Sequence, residues 1–270
     1  MKLAPILSIG MALLVAACGL DTGQTAHGDS SSSDLEQADA ARKAGDLNVA
    51  IPLYMRTLQT DPDNVEAKLG LGQSYLSAGS GSEAAAQFRD VLAKRDGNSA
   101  ARRGLAAALI SEGQPELAEK QAEMAVRADG RDYRALNVLG IALDMEGKQG
   151  EAQARYRQGL QLAPDDVALR SNIGLSLAIS GQPQEAIAQL APIASGPQSD
   201  GRVRQNLAFA YVMAGDFTNA LEISRRDLDE THAQRQLSYF MQLKSLSPEA
   251  RSAEMRRTSY FFPQLSKRGA

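Results

Sequence analysis

The side chains that could carry out chemistry are few and far apart. The 270 residues contain one cysteine, Cys18, and two histidines, His27 and His232. One thiol cannot close a disulfide within the chain, and one thiol with two distant imidazoles falls short of the ligand set of a transition-metal site. His232 has no Cys, Ser or Asp around it in the pattern that activates a nucleophile. The stretch GLGQSYLSAGSGS is rich in glycine, and Gly140 to Lys148 ends in Gly-Lys. Neither has the spacing of a phosphate loop or a strand in front of it. The carboxylates are spread along the chain as they are on solvated helix faces. The formal charge is 29 − 32 = −3, which gives no general attraction to nucleic acid. The reading is a protein that is not an enzyme, takes no cofactor or small-molecule substrate, and binds no nucleic acid.

The thiol has a different use. Lys2 is followed by an apolar run from Leu3 to Val15, then by the small residues Ala16 and Ala17. A cation, an apolar core and a small-residue end form a secretory leader, and the run is too short for a secure membrane-spanning helix. Val15-Ala16-Ala17-Cys18 resembles the bacterial lipobox. That resemblance implies a leader over 1–17, cleavage before Cys18, and acyl chains on its sulfur as the membrane anchor. Gly19, and not Asp, would be the second mature residue, which implies the outer membrane, on its periplasmic face. A plain leader with an incidental cysteine and an uncleaved anchor are the other readings. Residues 18–33 then form a flexible, Ser-rich tether that contains His27.

From residue 34 onward the elements that would position any site repeat. Ala50, Ala84, Ala118, Ala152, Ala186 and Ala220 follow one another at steps of 34. Five residues before each stands a glycine: Gly45, Gly79, Gly113, Gly147, Gly181 and Gly215. Upstream, Leu71-Gly72, Leu105-Ala106, Leu139-Gly140, Ile173-Gly174 and Leu207-Ala208 pair a large residue with a small one. Aromatics make up only 5% and Trp is absent, so helix is favoured over sheet. Helical pairs are expected in each unit. The small residues let the two helices approach closely, and the glycine ends the first helix with positive φ. No such unit buries its apolar stripe alone, so stability comes from stacking.

This register resembles the tetratricopeptide repeat. The resemblance implies an all-α fold, a right-handed superhelix of six repeats over 34–230. C-terminal capping helices at 231–258 would close its open end, and a basic aromatic tail would occupy 259–270. The first helix of each unit would line an inner groove. By that register Ile141, Leu175 and Phe209 are successive equivalents, and they form an apolar strip that either faces the groove or packs between units. Phe209 is the residue expected to stand exposed, with Val212 and Ser171 close to it in register. Arg103, Arg134, Asn137, Arg202 and Gln205 would flank the strip with hydrogen-bond donors for a bound peptide.

A narrower resemblance lies in the C-terminal half. The stretch from Arg170 to Leu221, with Arg204-Gln205-Asn206-Leu207 inside it, and the later QLSYFMQLKSL are similar to the TadD family. These are tetratricopeptide lipoproteins of tight-adherence (Flp) pilus systems. The resemblance implies a lipid-anchored adaptor at the outer membrane that assists assembly of the pilus secretion apparatus, with its secretin as the expected partner. A lipoprotein scaffold for cell-wall enzymes or outer-membrane protein insertion, and a cytoplasmic regulatory scaffold, remain open alternatives.

Overall fold

The computed structural model describes residues 25–196 and 199–257; Cys18 and the tail from 258 lie outside the described residues. Among the described residues there are fourteen α-helices and no strand. Six successive pairs come first: α1 (Thr25–Lys43) with α2 (Leu47–Thr60), α3 (Val65–Ser77) with α4 (Gly81–Lys94), and α5 (Ser99–Ser111) with α6 (Pro115–Ala128). They continue as α7 (Tyr133–Met145) with α8 (Gln149–Leu162), α9 (Val167–Ile179) with α10 (Pro183–Ala194), and α11 (Gly201–Ala214) with α12 (Phe217–Ser224). Two further helices, α13 (Glu230–Lys244) and α14 (Pro248–Arg257), complete the described chain. α1 begins at Thr25, so helix reaches into the stretch read as tether. One turn of it is braced by Gln37, which donates to the Ser33 hydroxyl at 2.9 Å.

The helix limits follow from the chemistry of the ends. Gly45, Gly79, Gly113, Gly147, Gly181 and Gly215 all have φ between +72° and +87°, which a residue with a Cβ rarely adopts. At the other end, Asn64, Asn98, Asp132, Asp166 and Asp200 lie 34 residues apart. Each accepts a hydrogen bond from a backbone N–H in the first turn of an odd-numbered helix. The even-numbered helices after Ser80, Gln114, Lys148 and Gln182 lack such a side-chain cap. Two of them, α6 and α10, start with Pro115 and Pro183, whose missing N–H costs nothing at that position.

Packing within a unit follows the large–small pairs. A Cβ on Gly72 would sit 2.7 Å from the Phe88 ring, one on Gly140 2.4 Å from Tyr156, and one on Gly174 2.5 Å from Leu190. Phe88, Tyr156 and Leu190 each stand four residues after the recurring alanine and are fully buried. Each odd helix also packs on the next odd helix, from α1·α3 to α9·α11, whereas the even helices of the six pairs make no comparable contacts with one another. The odd helices therefore form the inner layer of a curved stack. Most of the core is one cluster from Ala84 to Met255; Ala38, Ala50, Tyr54, Ala67 and Leu71 form a second under the first pair.

Candidate functional site

The inner face divides into two halves. In the C-terminal half, Ser171, Leu175, Phe209 and Val212 are all buried. This corrects the expectation that Phe209 stands exposed as an anchor. The ring of Phe240 on α13 meets Phe209 edge-on, with centroids 5.3 Å apart and planes at 68°. Leaving a Phe in water on the last inner helix would cost about 2–3 kcal/mol. The chain covers it with its own C-terminal helices instead. Leu175 joins the same core, and Ile141 is half-buried against it. The strip is therefore one of packing between units in this half.

Helix α14 turns back over the ends of two inner helices. Arg251 is buried and donates to three backbone carbonyls, those of Ile179, Leu243 and Leu246. Ser252 donates to the Asp144 carbonyl at 3.0 Å, and Arg256 donates to the Met145 carbonyl. Met145 and Ile179 are the last residues of α7 and α9, one repeat apart. Cations at two helix C-termini also meet the negative ends of the helix dipoles.

Polar rungs tie the inner helices together. Asn172 donates to the Asn137 side-chain oxygen at 2.8 Å, and Asn206 donates to the Ser171 hydroxyl at 3.0 Å. Ser171 is thus a structural partner between α9 and α11. Arg202 is exposed and Gln205 half-buried in the first turns of α11, and neither lines the groove that holds the other donors of the expected set.

The N-terminal half is open. A groove of about 610 Å³ runs across the inner helices from Arg42 on α1 to the start of α9. Arg103, Arg134 and Asn137 of the expected donor set line it together, with Gln73, Leu76, Tyr133 and Val138. Arg103 is anchored by an ion pair with Asp132, whose other carboxylate oxygen caps α7 by accepting from the N–H groups of Arg134 and Ala135. Arg42 donates to the Tyr54 hydroxyl at 3.0 Å and to Asp39 at 3.4 Å. Arg134 is exposed, stands 4.9 Å from the centre of the Tyr133 ring, and pairs with no carboxylate among the described residues. Because the Asn137 oxygen accepts from Asn172, its amide N–H groups remain for the groove.

Arg42 and Tyr133 are groove residues that the repeat register alone does not mark. Arg42 lies in the last turn of the first helix of a unit without a large–small pair, which reads as a polar cap. Tyr133 is the first residue of α7 and is visible only once Asp132 is recognised as its cap.

Two titratable clusters lie outside the groove. Asp144 is buried and accepts from Tyr156 at 2.9 Å and Ser176 at 2.7 Å. Burial pushes its carboxyl up to about 7, against the opposing pull of those two hydroxyls. Lys148 bridges Glu119 at 2.9 Å and Glu146 at 2.8 Å, between α6 and the turn after α7. Among the described residues no group of three or more His, Cys, Asp or Glu could hold a metal ion, and no helix is long and apolar enough to cross a membrane.

Comparison with known proteins bears on the fold. Two tetratricopeptide-repeat family profiles match, over residues 35–100 and 75–139. Among solved structures, a thermophilic tetratricopeptide-repeat protein of Thermus thermophilus is 22% identical. It aligns with a TM-score of 0.61 over 67% of this chain and 99% of its own. A tetratricopeptide-repeat protein of Parabacteroides merdae is 14% identical, with a TM-score of 0.63 over 78% of this chain and 84% of its own. PilF of Pseudomonas aeruginosa is 15% identical, with a TM-score of 0.61 over 80% of this chain and 100% of its own. At these identities the likeness is one of fold. No curated protein matches the sequence. The chain is an all-α tetratricopeptide-repeat solenoid.

Proposed function

We propose that the chain is a non-catalytic, lipid-anchored adaptor at the periplasmic face of the outer membrane. It grips a segment of a partner protein and so assists assembly of a tight-adherence (Flp) pilus apparatus, with the secretin as its partner. The observation that carries the gripping role is the open groove across α1 to α9, where Arg103, Arg134 and Asn137 converge. The pilus assignment is supported by the resemblance in Arg170–Leu221 and QLSYFMQLKSL, and the anchor by Val15-Ala16-Ala17-Cys18. Confinement to one membrane surface raises the effective concentration of adaptor and partner, so a groove of modest affinity suffices.

The test is a photo-crosslinking residue at Gln73 or Val138 in cells, followed by identification of the trapped protein. A secretin or another pilus component supports the proposal, and a cell-wall enzyme as sole product rejects it. The anchor is tested separately by Cys18→Ser with fractionation. Unchanged membrane retention removes the lipid from the account.

A further inference from the structure

We infer that the open half of the groove selects an acidic, extended peptide segment, and that Arg134 with Asn137 holds a side-chain carboxylate of that segment. The inference rests on the gripping role proposed above and specifies its ligand.

Charge comes first. The groove is lined by three guanidinium groups, Arg42, Arg103 and Arg134, and by one carboxylate, Asp166. Asp39 and Asp132 stand against two of these guanidinium groups, so the charge left open to a ligand is that of Arg134. Asp166 is already occupied as the cap of α9, accepting from the Leu169 N–H at 2.8 Å. The two inner arginines are held in place by carboxylates behind them: Asp132 for Arg103 and Asp39 for Arg42. Arg134 differs. Its charge is balanced by no carboxylate among the described residues, and it stands beside the Tyr133 ring at the groove rim. A planar guanidinium with this freedom takes a carboxylate through two parallel hydrogen bonds.

Asn137 adds direction. It lies three residues after Arg134 on α7, hence on the same face. Its side-chain oxygen is committed to Asn172, so the amide group turned to the groove is a donor. A guanidinium and an amide N–H on one face recognise an acceptor with at least two oxygens. Lining residues Ala100, Gly104 and Ala107 present little beyond backbone and methyl groups, and Leu76 and Val138 supply apolar flanks. A floor of such small residues lets an extended backbone approach closely.

The probe is a library of nonapeptides with randomised positions and both termini blocked, so that only side chains carry charge. It is panned against the purified full chain. Bound peptides should be enriched several-fold in Asp and Glu, and the enrichment should fall as salt rises. Arg134→Glu should abolish or invert the preference, and Asn137→Ala should weaken it. Arg202→Glu, equally exposed in the closed half, should leave it unchanged. Circular dichroism shows that each variant keeps its helix content. Absence of acidic enrichment in the native chain, equal enrichment with Arg134→Glu, or equal loss with Arg202→Glu would each overturn the inference. Vesicles containing phosphatidylglycerol form a separate arm: loss of vesicle binding on Arg134→Glu without any peptide enrichment assigns the patch to lipid and rejects the peptide. Failure here leaves the crosslinking result untouched, and an absence of pilus components among the crosslinks leaves the acidic preference untouched.

Discussion

The Tyr156 hydroxyl donates to the Asp144 carboxylate at 2.9 Å, and both side chains are buried between α7 and α8. The carboxyl rises from 3.8 to about 7 chiefly because burial disfavours its charged form. The sign of the pH effect follows. Below about pH 4 the group is neutral in both folded and unfolded chains and has no effect. From there to about pH 7 the unfolded chain releases the proton and the folded chain keeps it, so stability falls as pH rises. Above about pH 7 the cost is constant, at most a few kcal/mol. Asp144→Asn should remove this slope, because both hydroxyls can rotate to suit an amide. Urea unfolding at pH 5 and pH 8 should show the native protein losing stability with pH and the variant losing much less. Parallel pH dependences would reject the assignment.

The same tyrosine limits what position 140 can hold. A Cβ there would lie 2.4 Å from the Tyr156 ring, and the ring cannot swing aside while its hydroxyl is held by Asp144. Gly140→Ala should cost about 1–3 kcal/mol by overpacking. Gly97→Ala is the control, since a Cβ there meets nothing within 4 Å. The comparison is made by denaturant midpoints. Equal midpoints for the two variants would mean that the α7–α8 contact is looser than the structure indicates.

The repeat was legible because its signals are side-chain types at fixed steps. Gly45 through Gly215 and Ala50 through Ala220 reveal the helix ends and the close contacts directly. The caps at Asn64, Asn98, Asp132, Asp166 and Asp200 follow the same step, but they sit among other loop polar residues and are easily passed over when proline is taken as the unit boundary. The closure of the C-terminal half leaves no comparable trace. Arg251, Ser252 and Arg256 bind backbone carbonyls of Ile179, Asp144 and Met145, and a carbonyl has no sequence identity. Arg103, Arg134 and Asn137 line one groove, whereas Leu175, Phe209 and Val212 of the expected strip and its neighbours lie in the core.

Arg251 should hold α14 in place. Its guanidinium serves three carbonyls, and a lysine ammonium cannot reproduce that fork from a single point. Arg251→Ala should leave buried carbonyls without donors and cost about 1–3 kcal/mol. The readout is amide hydrogen exchange, expected to speed up at least tenfold across 248–257 while α5 is unchanged. Arg251→Lys should recover only part of the protection. Unchanged exchange in α14 would show that Met255 packing alone secures the helix.

Lys148 answers to two carboxylates, so its loss should expose a repulsion that no single pair reveals. Partial burial and the neighbouring Glu119 raise the Glu146 carboxyl; at Glu119 burial is the largest single influence, but the hydrogen bonds from Lys148 and Glu146 and the nearby lysine charges together outweigh it and lower the carboxyl. Lys148→Met would leave Glu119 and Glu146 facing each other across the α6–α7 contact. The expected loss at pH 7 is about 1 kcal/mol, kept small because Lys148 has 39% of its side chain in solvent. Lowering the pH toward 4 protonates one carboxylate and should shrink that loss. Adding Glu119→Gln to Lys148→Met should restore stability at pH 7, although Glu119→Gln alone removes a partner of Lys148. Such opposite signs in the two backgrounds identify a shared site, since independent positions would give additive losses.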